Sequence, residues 1–399
     1  MNTNAVFFDR GLAQTTDFPF ALEVERAKGI YIYTTDGRRY MDLISGVGVS
    51  NIGHGHPWVL EAINEQAAKH LHVMVYGEYV QSAQNKLAAA LTALLPEHLN
   101  CCYFVNSGAE ANEAALKLAK RVTKRTKIVS CRGAYHGSTH GTLSISGNEQ
   151  KKRAYRPLLP DVHFMRFNVV EDLYLIDERT ACVIIETIQG DAGIRIPDLA
   201  YLQALRAQCD RVGALLIFDE IQAGMGRTGK HFAFQHYGVT PDFLTLGKAL
   251  GGGLPIGALV ASRAHMQLFT HAPMLGHITT FGGHPLICAA AHAGIEVLTK
   301  EISMQHVADM GALTARMLGA HPRVKEIRHK GLYFAIEMES EAVVQHVVDY
   351  GLKHGFIGFW FLSNPHAFRI APPLNITTEE MTQACQLIID AFDALPPEL

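Results

Sequence analysis

The chain is 399 residues long, 48% hydrophobic and 18% charged, which is the balance of a globular protein with room for two or three domains. Its formal net charge of −3 leaves no basic footprint. Nucleic acid and anionic membrane are therefore not expected as partners, and any phosphate must be gripped locally. Seven scattered cysteines with no CxxC pair argue against a metal site and a disulfide framework, and suit a reducing cytoplasm. The first residues lack the apolar core of a secretory signal, and no apolar run reaches the length of a membrane span.

Residues 1–50 read as an arm and a small β element, with a strand over 29–33, a turn over 35–38 and a return strand over 40–43. From Pro57 the spacing becomes helical, and strands then alternate with helices. A strand over 102–105 leads into a helix over 109–122. Apolar runs at 127–130, 181–185, 214–218, 243–246 and 257–261 predict buried strands, each fed by a segment of helix length. That pattern predicts an α/β fold with a mostly parallel sheet between helices. A long helix over 286–298 opens a last region of mixed helices and strands. The division expected is 1–50 for the arm and β element, 51–285 for a large domain and 286–399 for a smaller α+β one.

Three places carry candidate chemistry. Ser107 and Glu110 have the spacing of a capping box at the start of the helix that follows the strand at 102–105. Helix starts offer free N–H groups and the positive end of a dipole to an anion, although many caps bind nothing. Asp219 ends an apolar strand, and ligands of open α/β sheets lie beyond such strand ends. A partly desolvated carboxylate there needs a cationic partner. A pyridinium N–H would serve, and so would a helix cap or a structural ion pair. Lys248 follows a strand on a glycine-flanked loop, where backbone can approach a ligand closely. Burial near cations would lower its pKa and make it a nucleophile, whereas most lysines are simply solvated. Neither a Walker loop nor, after the early strands, a dinucleotide fingerprint is present.

Taken together, the segments resemble the class III aminotransferases, which are pyridoxal-phosphate enzymes of fold type I. The matching pieces are NSGAEANEAALK at 106–117, YHG at 135–137, ETIQG at 186–190 and DEIQAGMGRTGK at 219–230. They continue with GKALGGGLPIG at 247–257, TTFGGHP at 279–285 and RIAPPL at 369–374, in family order over roughly 20–395. The resemblance implies that Lys248 forms a Schiff base with pyridoxal 5'-phosphate and later moves a proton. It implies that Asp219 pairs with the pyridine nitrogen, Gln222 meets the phenolic oxygen and Tyr135 stacks on the ring. His136 and Glu186 would complete the cofactor site. Ser107, Gly108 and Ala109 would hold the phosphate, and Thr280 would reach the phosphate of a neighbouring subunit in a homodimer. Arg369 would receive a substrate carboxylate, while Arg227 reads as structural. The implied activity moves an amino group from an amino acid or terminal amine, of the acetylornithine or 4-aminobutyrate kind, to a 2-oxo acid. A racemase, epimerase or decarboxylase on the same scaffold is the alternative. A scaffold without catalysis is disfavoured because Lys248, Asp219, Gln222 and Arg369 are all present.

The sequence also departs from the family. Asp191 stands where relatives carry a glutamate that neutralises the carboxylate-binding arginine, so Asp191 is assigned to substrate binding. Ser138 replaces the arginine that holds a second carboxylate, a role left to His140 or an arm residue. Val47 lies in a donor-pocket place that is tyrosine in ornithine aminotransferases, with Thr15 near another. Met74, Tyr76, Trp360 and Phe361 read as packing rather than pocket lining.

Overall fold

The computed structural model of the chain describes residue 8 and residues 11–396. Val24–Lys28 (β1), Tyr31–Thr34 (β2) and Arg39–Asp42 (β3) form an antiparallel meander. Gly37, at φ 82°, makes the tight turn between the last two. The sequence reading missed β1, because its residues, VERAK, are mostly exposed and show no apolar alternation. Pro57–Lys69 (α1) starts on a proline, which costs no hydrogen bond at a helix start, and His56 accepts from the Trp58 N–H at 3.3 Å. Ser82–Thr92 (α2) follows.

The next elements build the body of the molecule. Cys101–Val105 (β4) runs into Gly108–Thr123 (α3), whose buried face is almost all alanine and leucine. Then come Lys127–Cys131 (β5), Val162–Met165 (β6), Thr180–Glu186 (β7), Leu199–Val212 (α4), Leu215–Asp219 (β8), Phe243–Gly247 (β9) and Gly257–Ala261 (β10). The seven strands form one sheet in the order β4-β10-β9-β8-β7-β5-β6. Every pairing is parallel except the two made by β10. The reversal has a simple cause. Only residues 248–256 join β9 to β10, fewer than the dozen or so that a parallel crossover needs. β5, β7, β9 and β10 are buried along their whole length, as near-continuous apolar runs require. The half-buried edge strand β6 carries no such run, and the sequence reading missed it.

Pro285–Lys300 (α5), Met304–Gly319 (α6), Glu326–His329 (β11), Phe334–Glu337 (β12), Glu341–His354 (α7), Phe356–Ile357 (β13), Phe359–Trp360 (β14), Ala367–Ile370 (β15) and Thr378–Asp393 (α8) complete the chain. β11-β12-β15-β14 form an antiparallel sheet, while β13 pairs in parallel with β3 and so ties the last region to the first. Arg227 is fully buried and works as a cross-tie. It donates to the carbonyls of Leu332 and Pro372 and to Asn51 Oδ1, at 2.9, 2.5 and 2.5 Å. These bonds give it the structural part expected from the sequence.

Candidate active site

The carboxyl ends of β7, β8 and β9 and the first turn of α3 converge on a cavity of about 520 Å³. Its wall contains Ser107, Gly108 and Ala109, Tyr135 and His136, Glu186, Asp191, Asp219, Gln222 and Lys248. Ten positions spread over 142 residues of sequence thus share one space, because parallel strands deliver their ends to the same edge of the sheet.

Capping fixes the start of α3. Ser107 Oγ accepts from the Glu110 N–H at 3.2 Å, and the Glu110 carboxylate accepts from the Asn106 N–H at 2.6 Å. The box therefore closes one residue earlier than the reciprocal form. The N–H groups of the first turn have no intrahelical acceptor, so they can serve an anion. Gly108 lets the helix approach closely: a Cβ there would lie 2.7 Å from Ile221 Cδ1. A side chain on Gly257 would run into the Ser107 carbonyl.

Asp219 sits at the bottom, 4% exposed. Its Oδ2 accepts from His136 Nδ1 at 2.7 Å and Asn112 Nδ2 at 2.8 Å, and its Oδ1 from the Ile221 N–H at 3.0 Å. Asn112 is itself oriented by Thr245 Oγ1 at 2.7 Å and also donates to the His136 carbonyl at 2.8 Å. A carboxylate only accepts, so His136 carries its proton on Nδ1. Sequence reading did not single out Asn112 or Thr245. Asn112 was visible as the one buried amide on an alanine-rich helix face.

Lys248 follows β9 directly with φ 46°, a left-handed conformation that costs a non-glycine residue roughly 1 kcal/mol or more. Burial, and then the charge of Arg369, pull its amine down to about 8 against the opposing pull of Asp219, Glu186 and Asp191. Burial likewise pushes the Glu186 carboxyl up to about 7. Its two oxygens accept from the N–H groups of Tyr135 at 3.0 Å and Gly190 at 2.7 Å. Gln222 Nε2 is buried with no partner among the described residues, and so are Arg369 Nε and Nη2. The Arg369 guanidinium lies over the ring of Phe361 at 5.2 Å, and Phe361 is itself fully buried in the core beside Ile188, Ala223 and Tyr333.

Other sequence candidates stand apart. Asp191 lines the cavity, but its carboxylate accepts from the Leu362 N–H at 3.0 Å, Ser363 Oγ at 2.7 Å and Lys151 Nζ at 3.4 Å, not from Arg369. Val47 and Thr280 are exposed and lie outside this wall, as does Arg369. Val47, at φ 66°, adjoins Gly48, where a Cβ would be 3.6 Å from Gln222 Cγ. Trp360 stacks on Phe359 at 4.0 Å; Met74, Tyr76 and the exposed Thr15 do not line the cavity.

A profile of the family Aminotransferase class-III matches residues 12–392. The chain is a class-III aminotransferase. It is 38% identical to the acetylornithine aminotransferase of Methanocaldococcus jannaschii over 383 residues, covering 93% of this chain and 92% of that one. It is also 38% identical to the putrescine aminotransferase of Pectobacterium atrosepticum over 410 residues, covering 98% and 86%. The crystal structure of ornithine aminotransferase from Toxoplasma gondii superposes with a TM-score of 0.91 at 30% identity, covering 100% of this chain and 97% of that one. The aminotransferase therefore has fold type I, and the racemase or decarboxylase reading is not favoured. Among the described residues no helix is long and apolar enough to cross a membrane.

Proposed function

We propose that this aminotransferase carries an amino group from an amino acid or terminal amine, of the acetylornithine or 4-aminobutyrate kind, to a 2-oxo acid. In this reading pyridoxal 5'-phosphate is held on Lys248. The observation that carries it is a fit between the cavity and that cofactor. Gln222 Nε2, a buried donor without a partner, answers a phenolic oxygen. Asp219 answers a ring N–H, and the start of α3 with Ser107, Gly108 and Ala109 answers a phosphate. Tyr135 offers a ring face, and His136 and Glu186 hold the floor and wall around it.

When bound, the cofactor supplies a ring that takes up negative charge from the substrate's reacting carbon. The protein supplies the rest. Asp219, fixed by His136 and Asn112, keeps a carboxylate against the ring nitrogen. Lys248 Nζ, in the cavity wall, would hold the cofactor and would take the proton from the substrate's α-carbon. An amine titrating near 8 holds and releases a proton readily around neutral pH. Arg369, with two unpaired nitrogens, offers a planar fork to the substrate carboxylate. Asp191 and Val47 would border the substrate.

The working unit in this reading is a homodimer. Thr280 is exposed beside the exposed Met274, Leu275, Ile278 and Phe281, an apolar surface suited to a second copy whose phosphate Thr280 would reach. The His72 ring packs on Phe281 at 5.0 Å, next to the exposed Leu71 in sequence. Seven free cysteines suit the cytoplasm. The division of the chain at about residues 50 and 285 belongs to the same proposal.

The test is a half-reaction. Amine donor added without acceptor should convert the bound cofactor's spectrum stoichiometrically, and a 2-oxo acid should restore it. Exchange of the donor's α-hydrogen without that conversion would indicate a racemase and overturn the proposal.

A further inference from the structure

Tyr135, His136, Gly137, Ser138 and Thr139 are consecutive, and all five stand in the wall of the catalytic cavity. They belong to the loop that joins β5 to a short helix, His140–Ile145. Thr139 precedes that helix, yet its side chain does not cap the helix's own N–H groups. Glu113 of α3 caps them from outside. One oxygen of its carboxylate accepts from Thr139 Oγ1 at 2.5 Å, the Gly141 N–H at 3.0 Å and the Thr142 N–H at 3.2 Å. Gly141 permits this approach, since a side chain there would run into that carboxylate.

A carboxylate that caps a helix start ordinarily serves stability alone. Here the capped segment bears on the cofactor slot. A Cβ on Gly137 would lie 2.7 Å from Thr142 Oγ1 and 2.7 Å from Ala109 Cβ. Gly137 is thus packed both against Thr142, which Glu113 holds, and against the first turn of α3, whose N–H groups can serve an anion. Asn112, the neighbour of Glu113, grips the same loop at the His136 carbonyl, at 2.8 Å. One stretch of α3 therefore has two tasks. Its start faces a phosphate, and its next turn sets how far from that phosphate the Tyr135 loop stands.

We infer that Glu113 is a positioning residue that holds the loop of residues 135–139 against α3, and so fixes the Tyr135 ring face at the spacing the cofactor ring needs. Glu113 lies outside the cavity wall and acts through Thr139 and Thr142. The inference rests on the pyridoxal-phosphate reading above.

The experiment titrates cofactor-free protein with pyridoxal 5'-phosphate and, separately, with inorganic phosphate, and records visible circular dichroism of the cofactor-loaded protein. Phosphate reports the helix start alone, whereas the cofactor reports the helix start and the ring face together. Glu113→Ala should weaken pyridoxal 5'-phosphate about tenfold, the scale of a charge-assisted hydrogen bond, and reduce the visible dichroic band. Its phosphate affinity should stay within about twofold of native. Glu113→Gln keeps an oxygen acceptor in place and should stay within about threefold of native for both ligands. Thr139→Val removes a single donor and should show the pattern of Glu113→Ala at smaller size, which keeps the inference testable if Glu113→Ala does not fold. Native cofactor affinity and dichroism in Glu113→Ala, or in Thr139→Val where the former does not fold, would overturn the inference. Equal weakening of cofactor and phosphate, the mark of a general disturbance of α3, would overturn it too. Native protein that develops no visible band with the cofactor counts against the pyridoxal-phosphate reading itself, whereas a native band left intact by the variants counts against Glu113 alone.

Discussion

His136 Nδ1 donates to Asp219 Oδ2 at 2.7 Å, with both side chains buried, and Asn112 Nδ2 donates to the same oxygen at 2.8 Å. The pair turns a strand-end carboxylate into an immobile one. Thr245 orients Asn112 from β9, so two strands of the sheet, α3 and the loop that carries His136 together fix this carboxylate.

Asn112→Ala removes that convergence. It leaves Thr245 Oγ1, the His136 carbonyl and Asp219 each short of one partner inside the protein. The expected cost is about 1–3 kcal/mol of stability, with weaker cofactor retention. Thermal unfolding with and without added cofactor measures both. An unchanged melting temperature would show that the network is not tightly coupled.

Lys248 gives a pH dependence. Its amine is lowered to about 8 by burial and by Arg369, so at neutral pH only about a tenth of it is the free base that attacks an aldehyde. The rate at which cofactor-free enzyme captures pyridoxal 5'-phosphate should rise about tenfold per pH unit up to about 8 and then level off. Stopped-flow absorbance reads that rate. A rise continuing past pH 10, as for a solvated lysine, would contradict the buried environment.

Gly108→Ala tests the close approach of α3 to the β8 end. The new Cβ would meet Ile221 Cδ1 at 2.7 Å, with two more Ile221 carbons within 3.0 Å. The helix start must shift, and because the phosphate site needs its N–H groups in place, cofactor affinity should fall about tenfold. The double variant Gly108→Ala/Ile221→Ala should recover most of that loss in a cofactor titration. Non-recovery would place the fault elsewhere than in the contact.

Glu220 gives a second pH effect, of known sign. Burial pushes its carboxyl up to about 7, although it accepts from Thr187 Oγ1 and the N–H groups of Ala233 and Phe234. A folded value above the unfolded one of about 4.5 favours the fold at low pH, and that contribution is lost as pH rises through 7. Glu220→Gln carries no titrating group, so the native protein's stability margin over it should shrink between pH 5 and pH 8. Paired melting curves at the two pH values check this; a constant or growing margin would contradict the assigned burial.

Much of the frame was legible because burial leaves apolar runs in the sequence. β5, β7, β9 and β10 were read within a residue or two, and Asp219 and Lys248 stand out since each follows such a run. Elements without that pattern were missed: the exposed β1 and the edge strand β6. The partners of functional groups were harder still. Asn112 stands out as the one buried amide on an alanine-rich helix face, but it meets Asp219 across 107 residues of sequence, and nothing local names that partner. Asp191 was assigned from the resemblance to the neighbourhood of Arg369, yet it is committed to Leu362, Ser363 and Lys151. Lys151 lies in a run of three basic residues that reads as a solvated surface, and only the fold brings it to Tyr135.

The most direct test concerns Lys248 itself. The protein is incubated with pyridoxal 5'-phosphate, reduced with borohydride, digested and analysed by peptide mass spectrometry, with Lys248→Ala alongside. The expected result is one equivalent of cofactor mass on the peptide containing Lys248, none on the variant, and a variant turnover lower by about 10²–10⁴-fold or more. Label on another lysine, or sustained multiple turnovers by Lys248→Ala, would contradict the central role given to this residue.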